Sequence, residues 1–270
     1  MKPMHYLRCF AGIALREALR FLHQRERFIA ALVRPLVWLV VFAAGFRNVL
    51  GVSIIPPYET YILYEVYIVP GLIGMIQLFN GMQSSLSMVY DREMGSMRTL
   101  LVSPLPRWYL LVAKLLAGTI VSILQVYAFL IIAAAFGVEV PRLGFLTVLP
   151  ALILTGLMLG ALGLLLSSLI KQLENFAGIM NFVIFPMFFL SSALYPLWRM
   201  KESSDWLFMI CAANPFTHAV ETIRFALYGQ VNLEMLFYTL IALLAFVGAA
   251  IYGYNPARGM LSRKAGAGGG

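Results

Sequence analysis

Six long apolar runs divide this 270-residue chain and constrain its fold more than any other feature. They lie at residues 35–50, 66–88, 109–136, 146–168, 176–195 and 233–254. A helix needs about 20 apolar residues to cross a bilayer, so we predict one membrane-spanning helix for each run. Charged residues make up only 12% of the chain, too few to cover a soluble domain, for which about 25% is usual. The predicted fold class is therefore an all-α membrane protein with six transmembrane helices.

The short connections between these runs exclude a built-in second domain of ordinary size. The sequence contains no phosphate-binding Gly-x-x-x-x-Gly-Lys-Ser/Thr loop and no His-Glu-x-x-His or Gly-x-Ser-x-Gly motif. Its three histidines are scattered, and Cys9 and Cys211 lie near opposite ends of the chain, so we expect no metal site and no disulfide. The chain is therefore not expected to be an enzyme or to bind a cofactor, and ATP, if it is used, binds to another chain.

The distribution of basic residues predicts the orientation of the helices. The only ones that fall on the outer side of an N-in topology are Arg47, Arg142, Arg199, Lys201 and Arg224, and the other 15 of the 20 lie inside. Because basic residues concentrate in cytoplasmic segments, both termini are predicted inside. This orientation accounts for most of the formal charge of +8, so a nucleic-acid partner is not needed to explain it.

Residues 1–34 form a predicted cytoplasmic amphipathic helix that precedes the first span. Apolar residues recur there at steps of three and four, and the opposite face carries Arg8, Arg16, Arg20 and Arg27. Such a helix lies on the inner leaflet with its bases toward anionic headgroups. Anchoring of the first span and contact with a cytosolic partner use the same face, so both interpretations remain open. Residues 35–254 are the predicted transmembrane domain, and residues 255–270 are a cytoplasmic tail.

The charged residues in the predicted spans fall near the membrane edges. Arg34 and Lys114 are expected at inner ends, and Glu65 and Glu234 at outer ends. An ion-coupled secondary transporter needs ionisable groups deep in its spans and inverted repeats, and neither is visible. A membrane assembly protein without transport activity is a further alternative.

Neutral polar residues form a stripe on one face of the second predicted span. They are Gln77, Asn80, Ser84 and Ser87, at steps of three, four and three. The stripe fits either hydrogen bonds between helices of the bundle or a wet face toward a pathway or a second subunit. In the fourth span, Gly156, Gly160, Gly163 and Ser167 form a ridge of small residues, which predicts close packing of helices.

Two further segments have sequence patterns that differ from those of a membrane span. Between the second and third spans, residues 92–101 form a predicted short amphipathic helix that Ser103-Pro104 ends. Before the last span, residues 197–229 are too apolar for a solvated loop, and we predict re-entrant half-helices there. Asn214 caps the second half-helix with Pro215 at its first position. Glu221 and Arg224 lie three apart on that helix and can form either a local ion pair or a weak surface salt bridge.

Three motifs in order resemble the ABC-2 type permeases, especially the nodulation-factor exporters and daunorubicin-resistance permeases. They comprise Arg92-Glu93-Met94-Gly95-Ser96 with the following Leu100 to Arg107, then Phe189 to Leu197, and then Asn214-Pro215-Phe216-Thr217-His218-Ala219-Val220-Glu221 through Arg224. The resemblance covers essentially the whole chain. Ser192 stands where many relatives have glycine.

The resemblance implies the permease subunit of an ATP-driven exporter in the bacterial inner membrane. The expected partners are a separate ABC ATPase, which would bind ATP and magnesium, a second permease half in a homodimer, and membrane lipid. The expected substrate is amphipathic, lipid-linked, a glycan or drug-like. The implied ATPase-coupling residues are Arg92, Glu93, Gly95, Ser96 and Arg98. The implied outer gate contains Tyr195, Pro196, Asn214, Pro215, Glu221 and Arg224, and Gln77, Asn80, Ser84 and Ser87 are pathway candidates.

Overall fold

The computed structural model describes residues 3–23, 25–46, 56–93, 106–170 and 172–254. Within these ranges the chain forms ten helices and no β-strand. The helices are α1 (Pro3–His23), α2 (Arg25–Phe46), α3 (Tyr64–Glu93), α4 (Arg107–Ala135), α5 (Gly144–Leu169), α6 (Leu173–Phe189), α7 (Leu197–Ser203), α8 (Asp205–Ala213), α9 (Pro215–Leu227) and α10 (Leu233–Gly253). The prediction of an all-helical chain is confirmed for the described residues.

The six predicted spans overlap α2, α3, α4, α5, α6 and α10, but α6 ends at Phe189, six residues before the predicted end of its span at residue 195. Among the described residues, three segments are long and apolar enough to cross a bilayer: Trp108–Ala135 in α4, Gly144–Leu169 in α5 and Leu233–Gly253 in α10. Shorter apolar segments occur at Ile29–Val41 in α2 and Leu173–Phe189 in α6. The observed α2 begins at Arg25 and continues through Pro35, whereas the first span was expected to begin at residue 35.

The centre of the bundle is the contact between α3 and α5. A Cβ atom added at Gly81 would lie 2.8 Å from the Cα of Gly160, and one added at Gly163 would lie 2.7 Å from the carbonyl oxygen of Gly81. The two backbones therefore approach closely because neither side carries a side chain at these points. The predicted packing role of the glycine ridge is confirmed. α5 also packs against α4, α9 and α10, which completes the core.

The amphipathic helix predicted near the N-terminus is present as α1. It packs against α4, where the Tyr109 hydroxyl donates to the Tyr6 carbonyl at 2.5 Å. The side chains of Met4, Leu7 and Leu15 remain 60 to 68% exposed. This uncovered apolar face is compatible with contact to lipid.

Candidate functional site

A buried cluster, which we call the outer clamp, surrounds Arg224 on α9. The Arg224 side chain is 2% exposed, and its guanidinium carbon lies 3.8 Å from the ring centre of Tyr67 on α3. It donates to the Ser192 carbonyl at 2.8 Å, and its Nε lies 3.6 Å from Glu221 Oε1. The predicted pair of Glu221 and Arg224 is therefore present. The alternative of a surface salt bridge is wrong, because α3 and the turn after α6 cover the arginine.

Two tyrosines of α3 hold the backbone of the turn that follows α6. The Tyr67 hydroxyl donates to the Ser192 carbonyl at 2.9 Å, and the Tyr64 hydroxyl donates to the Leu194 carbonyl at 2.7 Å. Ser192 itself is fully buried, so the serine at this turn is accommodated inside the protein. Burial raises the pKa of the Tyr58 phenol, in the connection before α3, so this group stays protonated at neutral pH. The turn is thus fixed to the N-terminal end of α3.

Asn214 joins the end of α6 to the start of α9. Its side-chain oxygen accepts from the Phe216 N–H at 2.9 Å, which confirms the predicted cap with Pro215 at the first helical position. Its Nδ2 donates to the carbonyls of Met187 at 2.8 Å and Leu190 at 2.6 Å. One side chain therefore caps α9 and satisfies the last carbonyls of α6.

The segment between the turn and α9 is divided more finely than the sequence predicts. Tyr195 is 37% exposed, and Pro196 precedes α7. We expected two half-helices in residues 197–229, but extended backbone at Ser204 divides the first of them into α7 and α8. These two short helices pack mainly on each other, and Trp206 is 65% exposed on α8. The clamp is therefore buried and hydrogen-bonded, whereas α7 and α8 are only lightly attached to the rest of the bundle.

The polar stripe of α3 is used in contacts between helices. Gln77 donates to the Leu152 carbonyl at 2.8 Å and accepts from the Thr155 hydroxyl at 2.7 Å. Asn80 donates to the side-chain oxygen of Gln125 on α4. The first half of the stripe therefore bonds α3 to α4 and α5, which is the first of the two interpretations left open by the sequence. In the second half, the Ser87 hydroxyl donates to the Ser84 carbonyl at 2.7 Å within α3, and both serines are half-buried.

A small cavity lies beside this stripe, between α3, α4 and α5. Its lining includes Gln77, Ser84, Ser85, Lys114, Thr119 and Ser122. Its volume of about 10 Å³ is at the lower limit for a cavity that holds one water molecule. Lys114 was expected at an inner end, but it lies two turns inside α4 and is only 5% exposed. Its position inside the apolar run at residues 109–136 is the signal that indicates burial.

The predicted coupling residues lie at and beyond the C-terminal end of α3. Arg92 and Glu93 are the last residues of this helix. Gly95, Ser96 and Arg98 are outside the described residues, so the coupling helix remains a prediction. Within the described ranges, no group of three or more His, Cys, Asp or Glu side chains could hold a metal ion.

Comparison with known proteins shows similarity over most of the chain. The family model described as ABC-2 type transporter matches residues 9–228. The protein named transport permease ycf38 of Cyanophora paradoxa is 29% identical over 203 residues, which cover 73% of this chain and 66% of that protein. The protein named multidrug ABC transporter permease YbhR of Escherichia coli strain K12 is 30% identical over 201 residues, 72% of this chain and 53% of that protein. Nodulation protein J of Rhizobium leguminosarum bv. viciae is 32% identical over 88 residues, 33% of each chain. The alignments with ycf38 and YbhR thus cover less than two thirds of those proteins.

Proposed function

Because the chain belongs to the ABC-2 type transporter family, we propose that it is the permease subunit of an ATP-driven exporter. The substrate would be an amphipathic, lipid-linked, glycan or drug-like molecule that moves outward across the bacterial inner membrane. The observation that carries this proposal is the family match over residues 9–228 in a chain without a phosphate-binding loop. Energy from ATP must then enter through a separate ATPase chain.

We propose that α2, α3, α4, α5, α6 and α10 are the six spans, with both termini inside. The apolar segments of α4, α5 and α10 and the excess of basic residues on the inner side support this topology. On this topology α7, α8 and α9 would be re-entrant in the outer leaflet. A second copy of the chain and membrane lipid would complete the transporter.

The continuity of α3 suggests how a movement at the ATPase would reach the outer side. This helix runs without a break from Tyr64 to Glu93, about 45 Å at 1.5 Å per residue. Its inner end leads directly into the proposed coupling helix, and its outer end holds the clamp through Tyr64 and Tyr67. Closure of the ATPase dimer would displace the inner end, and α3 would carry the clamp with it. The lightly attached α7 and α8 would then change position relative to the bundle.

Variants of the coupling residues test this proposal. Replacement of Arg92 or Glu93 by alanine should leave the protein in the membrane but abolish stimulation of the partner ATPase. Glu202→Ala is the matched control, because this exposed acid lies on α7, far from α3's inner end in the proposed topology. ATP hydrolysis by the co-purified complex in vesicles is the measurement. Equal stimulation by the Glu93→Ala variant and the wild type would remove the docking role.

The buried Lys114 favours one alternative function, that of an ion-coupled secondary transporter. A buried lysine titrates more readily than an arginine and is the kind of group that ion coupling requires. In that mechanism the purified chain would move substrate on a proton gradient without ATP, and Lys114→Met would abolish the movement. In the proposed ATP-driven mechanism, the gradient alone drives no transport, with or without Lys114.

A further inference from the structure

The guanidinium of Arg34 lies inside the bundle and has no acidic partner in the part of the chain that the structure describes. Its central carbon is 3.8 Å from the ring centre of Phe79 on α3, and the side chain is half-buried. Among the residues that the structure describes, no carboxylate lies within 4 Å of it. Phe79 is 14 residues after Glu65 and 12 before Asp91, the two acids that bound the uncharged part of α3. Arg34 was expected at an inner end, but its charged group contacts α3 near the middle of this uncharged stretch.

An arginine at this depth needs a counter-charge. Its guanidinium stays protonated in proteins, and an uncompensated charge in the hydrocarbon region is costly. The ring of Phe79 stabilises the cation but supplies no full negative charge. The five N–H donors of the guanidinium also form no hydrogen bond to any described residue. An acceptor with negative charge would satisfy both the charge and the N–H donors of Arg34.

The contact between α2 and α6 shows which other groups share this region. The ring centre of Trp38 is 6.2 Å from that of Phe188 and 6.0 Å from that of Phe189. Arg34 lies one turn before Trp38 on α2, so the two residues share one face of that helix. Asn181 lies two turns before Phe188 on α6 and likewise shares its face. Arg34 and Asn181 therefore lie on the faces through which the two helices contact each other. α2 and α6 share little other contact in the described part of the chain. The scarcity of other contacts indicates a cleft between these two helices, beside the aromatic residues.

Two amides on α3 and α6, Gln83 and Asn181, also have no hydrogen-bond partner in the described ranges. Asn181 is exposed in the middle of the apolar segment of α6, where lipid tails could not satisfy its polar groups. Gln83 is half-buried on α3, one turn from Phe79 on the same face. Neither side chain has a hydrogen-bond partner among the described residues. Exposed apolar side chains of Val37 and Phe182 lie on the adjoining helices and could contact a hydrocarbon chain.

We propose that Arg34, Gln83 and Asn181 form a binding site for the phosphate group of an anionic amphiphile. The planar guanidinium binds phosphate oxygens in pairs, the two amides donate further hydrogen bonds, and the apolar walls hold the acyl chains. The phosphate is carried either by a membrane phospholipid or by a lipid-linked substrate, since both present the same chemistry. The inference rests on the proposed function, because it specifies the substrate class of the proposed permease.

Fluorescence of Trp38 can test this site directly. The triple variant Trp108→Phe, Trp198→Phe, Trp206→Phe retains Trp38 as the single tryptophan, one turn from Arg34. The full-length protein is placed in phosphatidylcholine vesicles that contain a small fraction of tail-brominated phosphatidylglycerol, and the quenching is compared with an equal fraction of brominated phosphatidylcholine. One basic group contributes about 1 kcal/mol toward an anionic lipid, so the phosphatidylglycerol preference should be about fivefold.

The preference should disappear in Arg34→Gln and persist in Arg142→Gln, which removes an exposed cation elsewhere. Asn181→Leu changes an exposed position and should reduce the preference at least twofold without affecting folding. Equal quenching by both lipids in the parent protein, or an unchanged preference in Arg34→Gln or Asn181→Leu, overturns the proposal. The same overturning results would be obtained if an acid of a second copy of the chain, rather than a phosphate group, neutralised Arg34.

Two further measurements distinguish the possible sources of the phosphate. They also distinguish failure of the phosphate site from failure of the proposed permease function. Millimolar inorganic phosphate should leave the preference intact, and its loss would show that the site takes soluble phosphate rather than an amphiphile. Release of brominated phosphatidylglycerol upon addition of ATP and the partner ATPase would show that the bound lipid takes part in the transport cycle. Retention would show that it is a resident membrane lipid. Both results support the presence of the phosphate site. The binding assay itself contains no ATPase, so its failure leaves the permease role intact. A chain that binds the lipid but never stimulates an ATPase contradicts only the permease role.

Discussion

Replacement of Arg224 by methionine should destabilise the protein more than any other single change in the outer clamp. Methionine fills a similar volume against Tyr67 but removes the charge. The lost interactions are a charged hydrogen bond to the Ser192 carbonyl at 2.8 Å, a desolvated stack on Tyr67 at 3.8 Å and the ion pair with Glu221 at 3.6 Å. A charged hydrogen bond contributes about 1.5 to 3 kcal/mol and a desolvated cation–π contact about 2 kcal/mol. We therefore expect a loss of about 3 to 5 kcal/mol, the range measured for broken buried pairs.

Glu221→Gln is the matched comparison for this prediction. The Glu221 side chain is 15% exposed and its contact with Arg224 is long, so its removal should cost only about 1 to 2 kcal/mol. Because the two residues interact, the double variant should lose less than the sum of the single variants. The native Cys211 is fully buried and reports unfolding through its reaction with a thiol dye once Cys9 is replaced by serine. An Arg224→Met protein within 0.5 kcal/mol of the parent, or one more stable than Glu221→Gln, would refute the reasoning.

Two further paired predictions concern packing and capping. Gly81→Ala should destabilise the protein by about 1 to 3 kcal/mol, because the added Cβ would meet the backbone of α5. Gly248→Ala places its Cβ in open space and should leave the stability unchanged or raise it slightly. Thermal unfolding of the two variants measures this difference. Asn214→Ala removes a cap and two hydrogen bonds to carbonyls and should cost about 2 to 4 kcal/mol, whereas Asn232→Ala removes only the cap bond to Met235 and should cost about 1 kcal/mol. Equal losses in the two asparagine variants would show that the bonds to the end of α6 contribute nothing.

Local patterns were sufficient to predict much of the helical framework. The length of the apolar runs predicts α4, α5 and α10, and the Asn214-Pro215 pair predicts the start of α9, because each signal depends only on neighbouring residues. The break at Ser204 also has a local signal, because a serine followed by an aspartate is typical of a helix start. The prediction of a single half-helix before Asn214 overlooked this signal.

Contacts between distant segments could not be predicted in this way. The spacing of Glu221 and Arg224 indicates an ion pair, but Tyr67 is more than 150 residues away, so neither the stack nor the burial follows from the local pattern. The same holds for Arg34, since its charged group contacts α3 rather than the membrane edge. Polar side chains on an apolar helix likewise show only that a partner is required. The structure identifies Leu152 and Thr155 as the partners of Gln77.

The most direct test of the central claim is a transport measurement with and without the companion ATPase. The purified chain is reconstituted in vesicles with fluorescent phosphatidylglycerol and an amphipathic dye as probes, first alone under a proton or sodium gradient, then with its co-purifying partner and ATP. We predict that the probes move only when the partner and ATP are both present, and that the partner's sequence contains a phosphate-binding loop. Movement driven by an ion gradient through the chain alone would contradict the account.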